Sequence, residues 1–159
     1  MAPKISRCAR CSSASELKTL PPVSGRDGAL KLTLLEAPAL VCSKGHKAPV
    51  DLDFMLWLIQ ALRQRCEQLA AGREEGMLFK KHLCGACGKD LGAEPERTEA
   101  FSWELKYQDL APFRAQLEEP LYKCTGCGKE QLRSAKAVQR DVPRAIMGIN
   151  DAAGFPHSG

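Results

Sequence analysis

The chain has 159 residues, 44% of them hydrophobic and 26% charged, with a formal net charge of +4. That length allows one ordinary domain or two small ones with thin cores, and the longest apolar run, Phe54 to Ile59, is far too short to span a bilayer. The opening residues Met1 to Arg7 contain no apolar stretch of the kind a secretory signal needs, and nothing resembles a lipidation signal, so a soluble, cytoplasmic protein with no membrane partner is expected.

In chain order, Cys8-x-x-Cys11 comes first. A CxxC places two thiols on one tight turn, where backbone amides can soften thiolate charge. Glu16 to Leu20 and Ala29 to Leu35 then read as strands, joined across Pro21-Pro22 and the turn-forming Ser24 to Gly28. Leu30, Leu32 and Leu34 alternate with Ala29, Lys31 and Thr33, which puts three leucines on one face. Pro38-Ala-Leu-Val-Cys42 leads into Cys42-x-x-x-His46, a second half-site.

A helix is predicted from Asp51, its cap, to Ala71, ended by Gly72. Leu52, Met55, Ile59, Leu62, Cys66 and Leu69 form one stripe, with Cys66 read as a small apolar residue rather than a reactive thiol. Phe54, Trp57, Leu58 and Ala61 make the opposite face apolar as well, so the first half of this helix is expected to be enclosed between other parts of the chain or against another copy.

Cys84-x-x-Cys87 opens the second half, and Phe101 to Tyr107 follows as a strand with Phe101, Trp103, Leu105 and Tyr107 on one face, read as core. Cys124-x-x-Cys127 closes the second set. Ala135, Val138, Val142, Ala145 and Ile149 then follow helical spacing, but Pro143 is expected to break or kink the helix near Gln139 to Val142, with Asp141 capping the second piece. The tail, 151–159, reads as mobile.

Four half-sites pairing in chain order point to two zinc ions per chain, one held by Cys8, Cys11, Cys42 and His46, the other by Cys84, Cys87, Cys124 and Cys127. His82, two residues before Cys84, is the nearby spare ligand. Secreted disulfide scaffolds with this many cysteines are usually shorter and follow a signal peptide, and the glycines flanking the thiols suit metal knuckles better than a thioredoxin-like strand-to-helix junction. Seven bound thiolates and two zinc ions lower the net charge from +4 to about +1, which is not the footprint of a protein that lives on phosphate charge.

Aligning the halves on Cys42 and Cys124 matches Leu35-Glu-Ala-Pro38 with Leu117-Glu-Glu-Pro120, which reads as an internal repeat. The expected architecture is α+β: tandem zinc ribbons of short antiparallel strands, each followed by a helical segment. In segments it comprises a first ribbon (1–50), a linking amphipathic helix (51–72), a second ribbon (77–133), a C-terminal helical segment (134–150) and the tail.

Cys8, Cys11, the Pro38-to-Cys42 strand, His46 and the helix from Asp51 together resemble the zinc-binding domain of MqsA/YgiT-type bacterial antitoxins. In that family the zinc domain is a structural and toxin-binding module, and DNA binding belongs to a separate helix-turn-helix domain. This chain has no room for such a domain and carries His46 where the family pattern has cysteine, so the resemblance implies binding rather than transcriptional control.

Catalytic zinc needs an open coordination position, whereas both sets here supply four ligands, so no catalytic residue is expected. The expected function is a non-enzymatic adaptor that binds a protein partner through ribbon strands or helix faces, with a homodimer through the 51–71 helix as one possibility. The alternative is nucleic-acid binding through basic residues near the knuckles, Lys123, Lys129 and Arg133 foremost.

Overall fold

A computed structural model describes residues 6–156; the ends of the expected first ribbon (1–5) and of the tail (157–159) lie outside the described residues. The chain runs through β1 (Ser6–Arg7), β2 (Ala14–Thr19), β3 (Val23–Asp27), β4 (Leu30–Leu35), β5 (Pro38–Cys42), β6 (Lys47–Ala48), α1 (Phe54–Glu67), β7 (Arg73–Glu75), β8 (Lys81–Leu83), β9 (Arg97–Leu105), β10 (Phe113–Lys123), β11 (Glu130–Leu132) and α2 (Ala135–Ala153). The class is α+β, with antiparallel pairing between the strands, as expected.

The strands form three sheets: β1-β2-β5-β6, the hairpin β7-β8, and a central sheet in which β10 pairs with β9, β4 and β11 while β3 pairs with β4. The central sheet joins the two halves of the chain. Leu32 lies opposite Leu117, which in turn lies opposite Phe101; Leu34, Ala115 and Trp103 form the next row. Directly opposed residues share a face, so the alternating leucines of β4 and the aromatic row of β9 bury one common surface. Leu30, Leu32 and Leu34 are fully buried, and Phe101 and Trp103, with rings stacked 6.4 Å apart, pack at its margin.

The chain leaves this sheet differently in the two halves. After β4 it turns at Glu36, whose φ of +59° is left-handed, and β5 enters the first ribbon's own sheet. The matching stretch of the second half runs straight through Pro120 as the single strand β10, which reaches its knuckle without a break.

The segment Ser24 to Gly28, expected to form a turn, is instead most of β3, and the reversal falls at Gly28, with φ +59°. Gly25 is what β3 needs: a Cβ there would overlap the Ala145 carbonyl of α2, and Gly148 on the helix faces Gly25 in turn. A strand glycine here marks the close approach of another backbone rather than a turn.

α2 is one continuous helix through Pro143, capped by the Ser134 hydroxyl, which accepts from the Ala137 N–H, rather than by Asp141. Proline cannot donate to the carbonyl four residues back. The Gln139 carbonyl freed in this way accepts a bond from Arg63 Nε of α1 at 3.0 Å, and Gln139 Nε2 donates to the Arg63 carbonyl at 3.0 Å. The expected break is therefore absent because a neighbouring helix satisfies the orphaned group. The tail expected from Asp151 continues this helix to Ala153, and Phe155 beyond its Gly154 cap is buried in the core.

α1 is shorter than expected, and its fully buried stripe is Phe54, Leu58, Leu62 and Cys66, while Leu52 is wholly exposed. Met55, Ile59 and Leu69 sit at the margin. The Asp51 carboxylate still organises the helix start: it accepts from the Asp53 and Phe54 amides and from the Tyr107 hydroxyl at 2.9 Å. Phe54, half-buried Trp57, Tyr107 and Phe113 form one aromatic cluster, so the expected enclosure of the helix's first half comes from the end of the central sheet.

Candidate metal centres

Each half-site is a tight turn in which the first cysteine's carbonyl accepts the N–H of a residue in left-handed conformation. Ser12, Gly88 and Gly128 do this four residues after Cys8, Cys84 and Cys124, at φ +59°, +78° and +77°; Gly45, at +85°, does it three residues after Cys42. The flanking glycines meet a backbone requirement, and Ser12 is the one residue of the four that meets it with a side chain. The same turns aim amides at sulfur. The N–H groups of Arg10, His46, Ala86 and Gly126 donate to the thiols of Cys8, Cys42, Cys84 and Cys124 at 3.3–3.4 Å.

The turns meet in pairs. Cys8, Cys11, Cys42 and His46 converge at one end of the β1-β2-β5-β6 sheet, with Cys8 Sγ 3.5 Å from His46 Nδ1 and Cys11 Sγ 3.7 Å from Cys42 Sγ. Cys84, Cys87, Cys124 and Cys127 converge beside β8 and β10, at 3.7 Å between Cys84 and Cys127 and 3.4 Å between Cys87 and Cys124. Within each set all donor atoms lie within 4.8 Å of one another. Sulfurs so placed are too far apart for disulfides, which need about 2.05 Å, and close to the ~3.8 Å edge of a tetrahedron with metal–sulfur bonds of about 2.3 Å. All eight expected ligands are thus brought together in two groups that fit a four-coordinate metal ion.

At Cys11, Cys84 and Cys124 the surroundings favour thiolate, whereas the Cys127 thiol is raised. The Ser13 side chain, then its backbone, pull the Cys11 thiol down to about 6. The Cys87 amide and next the Gln131 side chain pull Cys84 down to about 6. Gln131 is a contributor that the sequence reading missed. Its side chain is buried, Nε2 donates to Cys84 Sγ at 3.1 Å, and Oε1 accepts the Gly85 N–H at 2.8 Å. The available signal was a polar residue placed just after the last knuckle, beside an apolar one.

His82 is not brought into the second set; it sits in β8 opposite Glu74. Lys123, Lys129 and Arg133 are all exposed around the second knuckle, and Arg133 lies over the Tyr122 ring at 5.3 Å. Cys66 is buried, and loss of solvent followed by the nearby Glu119 carboxylate raises its thiol to about 12, which makes it inert at neutral pH.

The fold and its two Cys/His clusters thus define an α+β protein with two candidate metal centres. No family model matches the chain, and no curated protein or solved structure matches it. Among the described residues, no helix is long and apolar enough to cross a membrane.

Proposed function

We propose that this protein is a non-enzymatic zinc-binding adaptor, holding two zinc ions and presenting the folded surface they stabilise to a protein partner. The observation that carries the reading is the completeness of both donor sets. Three cysteines with a histidine in one, and four cysteines in the other, leave no coordination position for a substrate or water, as structural zinc sites do and catalytic ones do not. Softening of the thiolates by amides and Gln131 suits a permanent ion. The MqsA/YgiT-type likeness of the first half agrees with a binding role.

A second reading is nucleic-acid binding at Lys123, Lys129 and Arg133, supported by their exposure around one knuckle. Elemental analysis of the purified chain, followed by affinity capture with and without nuclease, tests both. Two zinc ions per chain and a protein partner that survives nuclease are expected. One metal per chain, or iron, sinks the zinc assignment, and loss of all capture on nuclease treatment moves the function to the second reading.

A further inference from the structure

The loop joining β7 to β8 holds three large apolar side chains in solvent: Met77, Leu78 and Phe79 are 96%, 91% and 89% exposed. Gly76, at φ +102°, opens the loop, and a Cβ on it would overlap the Phe79 carbonyl, so the chain reverses tightly and the three side chains stand out from one tip. Single exposed apolar residues are ordinary. A run of three at a tip marks a surface shaped to meet something apolar.

The charges around the tip indicate what it meets. Within the hairpin Arg73 pairs with Glu75 and Lys80 with Glu74, so both acids are already neutralised. Lys81 and Arg133 have no carboxylate partner among the described residues. With His82 they line a cavity of about 250 Å³, in which Asp90 is the one acid, and the buried Nδ1 of His82 has no hydrogen-bond partner. An apolar tip beside two cations that outnumber the one acid in their cavity matches hydrocarbon beneath anionic headgroups. The size of the tip argues the same way. Three side chains fall well short of the ~800 Å² per partner that stable protein pairs bury, whereas a bilayer interface needs no complementary shape and gains from each inserted side chain separately.

We propose that the β7–β8 hairpin docks this protein on an anionic phospholipid surface, with Met77, Leu78 and Phe79 entering the headgroup–acyl boundary and the exposed Lys81 and Arg133 receiving a lipid phosphate. This contact is peripheral. It departs from the sequence expectation of no membrane partner, which weighed only spanning segments and lipid anchors, and it does not rest on the adaptor reading.

The test is flotation of the full, metal-loaded chain with phosphatidylcholine vesicles, with and without phosphatidylserine. The wild type should float with the phosphatidylserine vesicles. Met77→Ser/Leu78→Ser/Phe79→Ser should weaken this by at least about tenfold, through lost apolar burial, and Lys81→Gln/Arg133→Gln by about tenfold on the anionic vesicles alone. Metal content and circular dichroism check that both variants fold. Phe79→Trp, which keeps the tip apolar, should be quenched by brominated acyl chains. Absence of wild-type flotation, unchanged binding of the triple serine variant or an unquenched tryptophan would each overturn the proposal. So would tip-dependent self-association without lipid, which would assign the tip to a second copy of the chain.

Discussion

Gln131 is buried beside the second candidate metal centre, where it spends one end of its side chain on the Cys84 thiol and the other on the Gly85 amide. Groups that bond to a ligand orient it and tune its charge, and their loss typically weakens metal binding by about 10–100-fold. Gln131→Leu should therefore lower affinity at the Cys84/Cys87/Cys124/Cys127 site by that factor in competition with a chromophoric chelator. The Cys8/Cys11/Cys42/His46 site serves as the unchanged internal reference. Glu119 makes a second residue-scale prediction. It faces Cys66 of α1 and Asp141 of α2 and lies opposite Glu99 of β9, and burial, then the Asp141 charge, raises its carboxyl from 4.5 to about 7. A raised acid favours its neutral form in the fold, so the stability linked to it is full below pH 4.5 and is lost as pH rises through about 7. The urea midpoint of the wild type should fall, relative to Glu119→Gln, across that window; parallel pH profiles would show that the carboxyl plays no such part.

At the scale of elements, the junction of α1 with α2 shows how a helix can carry proline in its middle. Arg63 donates to the Gln139 carbonyl that Pro143 orphans, and the reciprocal bond from Gln139 fixes the two helices to each other. Arg63→Ala should cost about 1 kcal/mol, towards the low end of the penalty for an unpaired acceptor because the Gln139 carbonyl is only partly buried. Pro143→Ala restores the helix's own donor, so the cost of losing Arg63 should shrink in that background, and the double-mutant cycle read from urea denaturation should be non-additive. Additive values would mean that the guanidinium contributes only packing. Pro143 was legible as a helix breaker because its missing N–H is a local property. That the helix survives depends on Arg63, far back in the chain, which no local pattern reports.

For the whole molecule, the consequence lies in the central sheet. The sequence pattern suggests two ribbons in series, yet β4 of the first half pairs along β10 of the second, and α2 packs over β3 at Gly25. The first candidate metal centre lies in a separate sheet, so the halves should not unfold as sequence halves. Cys8→Ser should open β1, β2, β5 and β6 to hydrogen exchange while β3, β4, β9 and β10 keep their protection. A zinc ion held there would contribute on the order of 10 kcal/mol to that local sheet. Loss of protection throughout residues 6–50, β3 and β4 included, would show instead that the first half folds as its own unit.

The two Cys/His clusters were legible in the sequence because a CxxC turn is a local device: its spacing, its left-handed turn residue and its amide-to-sulfur bonds all fall within about six residues. The alternation of Leu30, Leu32 and Leu34 and of Phe101, Trp103 and Leu105 was legible for the same reason, since the strand period is two. What those faces bury against was not, because pairing between strands as distant in sequence as β4 and β10 leaves no mark on either strand alone. The same holds for Gly25, which looks like a turn residue until α2 is laid against it, and for the buried stripe of α1, which an all-round apolar sequence leaves free to rotate. Met77, Leu78 and Phe79 are a short apolar run in the sequence; only their place at the tip of a hairpin, with their side chains in solvent, makes them a surface. Periodicity and ligand spacing are properties of neighbours along the chain, whereas burial and pairing are decided by distant segments that must compete for the same space.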